Sequence, residues 1–318
     1  MTLSLSDVER AREVIRGHVH RTPLLSSRTL SERIGASTYL KAESLQRTGS
    51  FKVRGAVNAV ARLSPEQRAN GIVTMSAGNA AQAIAFAGRA VGASVTVAMP
   101  STAPRTKVDA TRGYGAEIRF ARDTTELMPI VRELEGSARM CFLHPFDDDA
   151  MIAGHGTLAL EVLDDLPDAD LFVVPVGGGG LIAGIALAVA ARRPAARVIG
   201  VEPTGAAGMR LALDAGHPVP LSAISTVADA LAAPFAGERP LEIVGAHVAD
   251  VVTIEDADII EGLRFLAARA RLFVEPGGAA AVGALLAGRV VPRPGERVVA
   301  IVSGGNVDLA RAAEFFTR

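Results

Sequence analysis

Short β-branched runs alternate along this chain with longer segments rich in Ala and Leu. "GIVTM" (71–75) passes through "SAGN" (76–79) into "AAQAIAFAGRAVG", and "ASVTVAMP" (93–100) follows. "DLFVVPV" (170–176) passes through "GGGG" (177–180) into "LIAGIALAVAARR", and "ARVIGVEP" (196–203) follows. Near the end, "RVVAIV" (297–302) leads through "SGG" into "NVDLARAAEFF". Apolar runs without alternation suit strands buried on both faces, and the order strand, turn, helix, strand builds parallel crossovers. The pattern predicts a doubly wound α/β fold with mostly parallel sheets flanked by helices, binding its ligand at strand C-termini.

Local signals refine the pattern. "VERAREVI" is predicted as a helix behind Asp7, and Thr253 is predicted to open "EDADIIEGLRFLAARA", whose early acids and late arginines suit a helix dipole. "GHPVP" (216–220) and "PFAGERP" (234–240) are predicted as loops. "DDD" at Asp147–Asp149 reads as a solvated loop or helix start.

Composition narrows the class. The chain has 318 residues, 49% hydrophobic and 21% charged, enough for one large domain or two lobes. A net charge of −1 gives no electrostatic case for nucleic acid or an anionic membrane. The N-terminal "MTLSLSDVERAREVIRG" lacks the apolar stretch of a signal peptide, and "GLIAGIALAVAA" is too short to span a bilayer. Cys141 is the single cysteine, so an internal disulfide is excluded and a cytoplasmic location is expected. His144 lies three residues on, beside a proline, and Cys141 reads as a small core residue rather than a functional thiol.

Three small polar loops fall at expected strand ends: "SAGN" (Ser76–Asn79), "GGGG" (Gly177–Gly180) and "SGGN" (Ser303–Asn306). Glycine lets backbone N–H groups approach an anion, and the following helix adds its positive end. The four glycines carry an entropic cost that folding alone does not require, which favours a phosphate cradle over a packing turn. Gly178, Gly180 and Ala183 also satisfy G-x-G-x-x-A, and Glu202 sits where a ribose-binding acid would, so a dinucleotide site stays open on this loop alone. Lys52, in "TGSFKVRGA" (48–56), decides between them. A lysine lying over Phe51 at the surface is the plain alternative. A nucleophilic lysine, however, needs burial or neighbouring cations to lose its proton near neutral pH. Such an amine beside a phosphate cradle suits pyridoxal phosphate (PLP), which carries both an aldehyde and a phosphate.

Eight motifs then occur in one order: "TGSFKVRGA", "SAGNAAQ", "HPFDD", "IAGHGT", "PVGGGGLIAG", "VEP", "VEPGGAAAV" and "IVSGGNVD". Through them the chain resembles a fold type II (β-family, tryptophan synthase β-like) PLP enzyme of the threonine dehydratase/serine racemase group. The resemblance implies a large PLP-binding domain from residues 1–70 and 148–318 and a small domain from 71–147. It implies that Lys52 forms the Schiff base and Phe51 packs on the pyridine ring. Asn79 meets the phenolic oxygen, Ser303 faces the pyridine nitrogen, and Gly177, Gly178, Gly179, Gly180 and Leu181 cradle the phosphate. Ser76, Ala77, Gly78 and Asn79 hold the substrate carboxylate.

The implied activity is β-elimination from a small 3-hydroxy amino acid such as threonine or serine, giving a 2-oxo acid and ammonia in a homodimer. Racemisation within this group uses a serine where this chain has Ala77, so dehydration is expected. Departures from the dehydratase pattern are Ala80, Ala83, Ala230 (in "ADA") and His155 (in "IAGHGT"), the last read as a core or loop histidine. Glu202 has no second carboxylate in "TGAAGM", so no metal is expected. No C-terminal regulatory domain is expected after "SGGNVDLARAAEFFTR". The alternatives are a racemase or other PLP lyase, a nicotinamide-dependent oxidoreductase, and a non-catalytic PLP- or amino-acid-binding protein.

Overall fold

The computed structural model describes residues 3–317. Its strands are β1 (Leu24–Ser26), β2 (Ser37–Ala42), β3 (Ile72–Met75), β4 (Val95–Pro100) and β5 (Glu117–Ala121). They continue as β6 (Cys141–Phe142), β7 (Leu171–Pro175), β8 (Arg197–Pro203), β9 (Asp250–Ile254) and β10 (Arg297–Val302). Six of them form one sheet in the order β1-β2-β10-β7-β8-β9, and four form a second in the order β5-β4-β3-β6. Only the β1–β2 pairing is antiparallel among the described strands. The α/β reading with mostly parallel sheets is thus borne out.

Burial explains the continuous apolar runs. In β7, Phe172 and Val174 enter one core and Leu171 and Val173 the opposite one. Strand β10 divides likewise, Val299 and Ile301 on one side, Val298, Ala300 and Val302 on the other. Helices Asp149–Asp165 and Gly180–Arg192 cover the first face, and Asp256–Phe265 and Pro276–Leu286 the second. A strand covered twice has no polar side to alternate with. The smaller sheet is covered too, by Ile84 against Ile72 and Val97, and by Val131 and Leu134 against Val73 and Ala98.

Helix Lys52–Ala61 is pressed onto helix Asp149–Asp165, where Gly154 makes the contact possible. A Cβ there would lie 2.4 Å from the carbonyl oxygen of Arg54. Below the same helix lies a buried ionic cluster. Arg54 binds Glu43 through Nε and Nη2, both at 2.8 Å, and Glu161 through Nη1 at 2.7 Å and Nη2 at 2.9 Å. Lys41 adds a bond to Glu161 at 2.6 Å.

Several helix starts differ from expectation. The first helix begins at Leu5 behind Ser4, and Asp7 reaches back to take the Ser4 N–H at 3.0 Å and its hydroxyl at 2.8 Å. Asp7 is therefore the third helical residue, not the cap. Thr253 belongs to β9, and Glu255 caps the helix Asp256–Phe265, because the strand must finish before the chain can turn. "PFAGERP" is not all loop: helix Glu238–His247 starts inside it, with Asp147 accepting the amides of Glu238 and Arg239, both at 3.0 Å. Asp148 caps the helix Asp149–Asp165 through the Met151 amide at 2.8 Å, so "DDD" is a helix start. Among the described residues no helix is long and apolar enough to cross a membrane.

Candidate active site

The three polar loops follow β3, β7 and β10, and the turn carrying Lys52 is tied to the third. Phe51 N–H donates to the Ser303 carbonyl at 3.1 Å, Gly305 N–H to Gly49 at 2.9 Å, and Ser50 bridges Gly304. These bonds hold the first residue of helix Lys52–Ala61 at the end of β10.

The Lys52 side chain turns inward. Its Nζ donates to the carbonyl oxygen of Pro145 at 2.8 Å and lies 5.2 Å from the Phe51 ring centroid. Burial lowers the amine from its ordinary 10.5 to about 8, and no carboxylate offsets that. So the lysine does lie over Phe51, half-buried with its amine turned inward. His144, just before Pro145, accepts the Asp147 amide at 2.8 Å through Nδ1, and burial pushes its pKa to about 4, so it is a neutral acceptor. Cys141 is half-buried and takes a Gln67 amide contact at 3.8 Å, and burial raises its thiol.

The glycine loop corrects one premise. A Cβ on Gly178 would lie 2.4 Å from the Phe146 ring, and one on Gly180 2.8 Å from the Phe146 carbonyl. Gly177 abuts Leu231 at 3.1 Å, and Gly179, at φ +92°, abuts Met209 at 2.4 Å. Packing of protein on protein therefore demands glycine at 178, 179 and 180 and favours it at 177, so these glycines also serve the fold, contrary to the expectation that folding does not require them. What the loop offers a ligand is its amides. The N–H groups of Gly177, Gly178 and Gly179 meet no protein acceptor among the described residues, and helix Gly180–Arg192 starts behind them. Unspent donors at a helix N-terminus form an anion site. Leu181, in the first turn, is 5% exposed and faces the core.

Beside the third loop, Asn79 begins helix Asn79–Ala90 and is held at both ends of its amide. Nδ2 donates to Glu275 Oε1 at 2.6 Å, and Oδ1 accepts from Asn306 Nδ2 at 2.9 Å. The sequence reading assigned Glu275 no role. An acid before the proline that opens a helix looks like a cap, yet its side chain caps nothing and turns to Asn79. Ser303 is buried, with its hydroxyl 3.4 Å from the Gly277 carbonyl, a weak bond that leaves the group able to serve another partner.

The Ser76–Gly78 loop is half-buried, and Ser76 Oγ accepts the Gly78 amide at 3.1 Å. Ala77 has no polar side chain to add. Ala80 and Ala83 are buried in the helix, whereas Ala230 is exposed, its methyl 3.0 Å from where a Cβ on Gly277 would stand. His155 is fully buried on helix Asp149–Asp165, edge-on to Phe51 with ring centroids 4.8 Å apart. Burial, with the Lys52 charge next, holds it well below its ordinary pKa. Glu202 is spent: its two oxygens take the amides of Met209 at 2.8 Å and Arg210 at 2.9 Å, so it does not present a free acid to a ribose.

Residues 15–304 match the family model described as pyridoxal-phosphate dependent enzyme. L-threonine ammonia-lyase of Thermotoga maritima is 38% identical over 96% of this chain and 76% of its own. L-threo-3-hydroxyaspartate ammonia-lyase of Saccharomyces cerevisiae is 40% identical over 96% of this chain and 94% of its own. Maize serine racemase superposes with a TM-score of 0.94 at 33% identity, covering 99% of this chain and 97% of that one. With the family model spanning most of its length, the inward-turned lysine and the open amides of this chain belong to a member of the pyridoxal-phosphate dependent enzyme family.

Proposed function

We propose that the protein is a PLP-dependent ammonia-lyase that eliminates the hydroxyl of a small 3-hydroxy amino acid, serine- or threonine-like. The carrying observation is Lys52: a half-buried amine that pairs with no carboxylate among the described residues and bonds to Pro145, whose neighbour Phe146 packs on the glycine loop. The residues present fit the cofactor, a lysine for its aldehyde and unspent amides for its phosphate. Lys52, Phe51, Asn79, Ser303, the amides of Gly177–Gly180 and Leu181 would hold it. Bound there, PLP supplies an electron sink for the charge left at the substrate Cα.

Lys52 Nζ takes the Cα proton. With a pKa of about 8, about a tenth of the amine is neutral at pH 7, several hundred times more than for an ordinary lysine. The Ser76 hydroxyl, which already accepts from Gly78, keeps its own proton for the substrate carboxylate, joined by the amide of Ala77. The proton taken from Cα balances the one the departing hydroxyl needs to leave as water; the enamine left then takes up one water, so one amino acid gives one 2-oxo acid and one ammonium. Ala77 offers no second acid or base for racemisation, and the activities named for the two ammonia-lyase relatives support elimination.

We place residues 71–147 in a small lobe that closes on the rest, supported by the separate four-stranded sheet. The enzyme acts as a cytoplasmic homodimer in this reading, consistent with its lone half-buried thiol. Purified holoprotein is incubated with a panel of 3-hydroxy amino acids, and 2-oxo acid and D-isomer are measured. Release of oxo acid, abolished by Lys52→Ala, is expected. No oxo acid from any member, or a D-isomer as main product, overturns it.

A further inference from the structure

Glu275 is 1% exposed, yet no cation among the described residues bonds it. One oxygen, Oε1, accepts Asn79 Nδ2 at 2.6 Å, and the other, Oε2, has no hydrogen-bond partner among the described residues. A buried carboxyl left half-satisfied is costly, and a fold that needed only a packed residue here would carry an apolar one. The strand-end loop accommodates this acid closely: Gly304 lacks the Cβ that would stand 2.3 Å from Oε1. On the far side, Asn306 donates to Asn79 Oδ1 at 2.9 Å and to the Thr48 carbonyl at 2.7 Å. The amide of Asn79 is thus fixed in one orientation, its oxygen committed to Asn306 and one N–H to Glu275. One N–H of Nδ2 is left over. Asp229 and Lys107 act on Glu275 in opposite senses and pair with each other. Burial pushes its carboxyl up to about 7, so a neutral carboxyl is accessible near neutrality.

We propose that Glu275 is a positioning residue: it clamps the Asn79 amide so that the remaining N–H points at the bound cofactor, and it does so as a hydrogen-bond acceptor rather than as a charge. The inference rests on the PLP site proposed above, and its readout is cofactor affinity, which needs no turnover. Loss of oxo-acid release would therefore strike the reaction and leave this inference standing.

The dissociation constant of PLP is measured by equilibrium dialysis for the wild type, Glu275→Ala, Glu275→Gln, Asn79→Ala and the double variant Glu275→Ala/Asn79→Ala. Thermal melts of the apoproteins are run alongside. Glu275→Ala and Asn79→Ala are each expected to weaken PLP about tenfold, one hydrogen bond's worth. The double variant binds no more weakly than Asn79→Ala alone, because one residue acts through the other. Glu275→Gln keeps an acceptor oxygen and stays within about threefold of wild type. Additive losses in the double variant, wild-type affinity in Glu275→Ala, or a Glu275→Gln as weak as Glu275→Ala would each overturn the proposal. If Glu275→Ala does not fold, Glu275→Met fills the same space without an acceptor and makes the same comparison.

Discussion

Lys52 Nζ and the Pro145 carbonyl oxygen stand 2.8 Å apart, and this bond joins the amine to a neutral partner. The folded chain holds the lysine at about 8, against 10.5 when unfolded, so between those values the unfolded state binds more protons. Stability of the apoprotein therefore rises with pH from about 8 to about 10.5, and the full penalty applies below that window. Replacing Lys52 with Met removes the penalty. The variant apoprotein is expected to be more stable at pH 7 by on the order of 2 kcal/mol, a gain that shrinks above pH 8. Thermal melts from pH 6 to about 10 decide it; a constant difference across that range contradicts the assignment.

Arg54 offers the opposite case, a buried cation that is heavily paired. Removing it as Arg54→Met strands Glu43 and Glu161 in the interior with Lys41 alone to offset them. The expected loss is about 3–5 kcal/mol at pH 7 by urea titration. Glu43, held below its ordinary pKa mainly by Arg54 against the opposing effect of burial, stabilises the wild type above the unfolded carboxyl value and ceases to as pH falls through the lowered one. Without Arg54, protonation relieves the buried acids, so the deficit of the variant should narrow on acidification. A deficit that widens instead would contradict this account.

The wild-type sequence made the alternation of strands and helices legible because both faces of each central strand are apolar, a local property. Caps were less legible. Ser4 and Asp7 are both good cap residues, and only backbone geometry decides that Ser4 precedes the helix while Asp7 reaches back. The lysine's setting could be suspected from Phe51 and the Thr-Gly-Ser turn, but Pro145, its acceptor, lies 93 positions away. Glu275 was hidden for the same reason, since Asn79 is 196 positions distant. The glycines drew notice as an anion cradle, and packing supplies a further reason that local pattern did not show. Their missing side chains make room for Phe146, Leu231 and Met209, facts of packing that no local pattern encodes.

That packing leads to a test at Gly178. An alanine there places a methyl 2.4 Å from the Phe146 ring, which is packed edge-on against His144 and Phe235, and Phe146 directly follows Pro145, whose carbonyl holds Lys52. Gly178→Ala is expected to cost about 1–3 kcal/mol of stability and to weaken PLP binding in parallel. Shrinking the obstacle should reverse part of both effects, so Gly178→Ala/Phe146→Leu is expected to bind PLP more tightly than Gly178→Ala alone. If the double variant is no better, the glycine serves the ligand directly rather than the ring.

Lys107 and Asp229 connect the two sheets. Lys107 lies on helix Arg105–Gly113, which packs with the four-stranded sheet, and Asp229 lies in the turn whose Ala230 and Leu231 abut Gly277 and Gly177. The pair is partly sheltered, with side chains 14% and 36% exposed, so it is worth about 1 kcal/mol or less to folding. Its larger effect is expected on alignment, because the turn it holds borders the glycine loop. Lys107→Glu sets two carboxylates against each other there. The expected outcome is a melting temperature within a few degrees of wild type but a raised KM and lowered kcat/KM for the elimination substrate, about tenfold for 1.4 kcal/mol of lost alignment. Exchanging the charges as Lys107→Glu/Asp229→Lys restores attraction across the same gap and should recover most of that loss. A swap variant as poor as Lys107→Glu alone would show that the identities of the two residues matter beyond their mutual attraction.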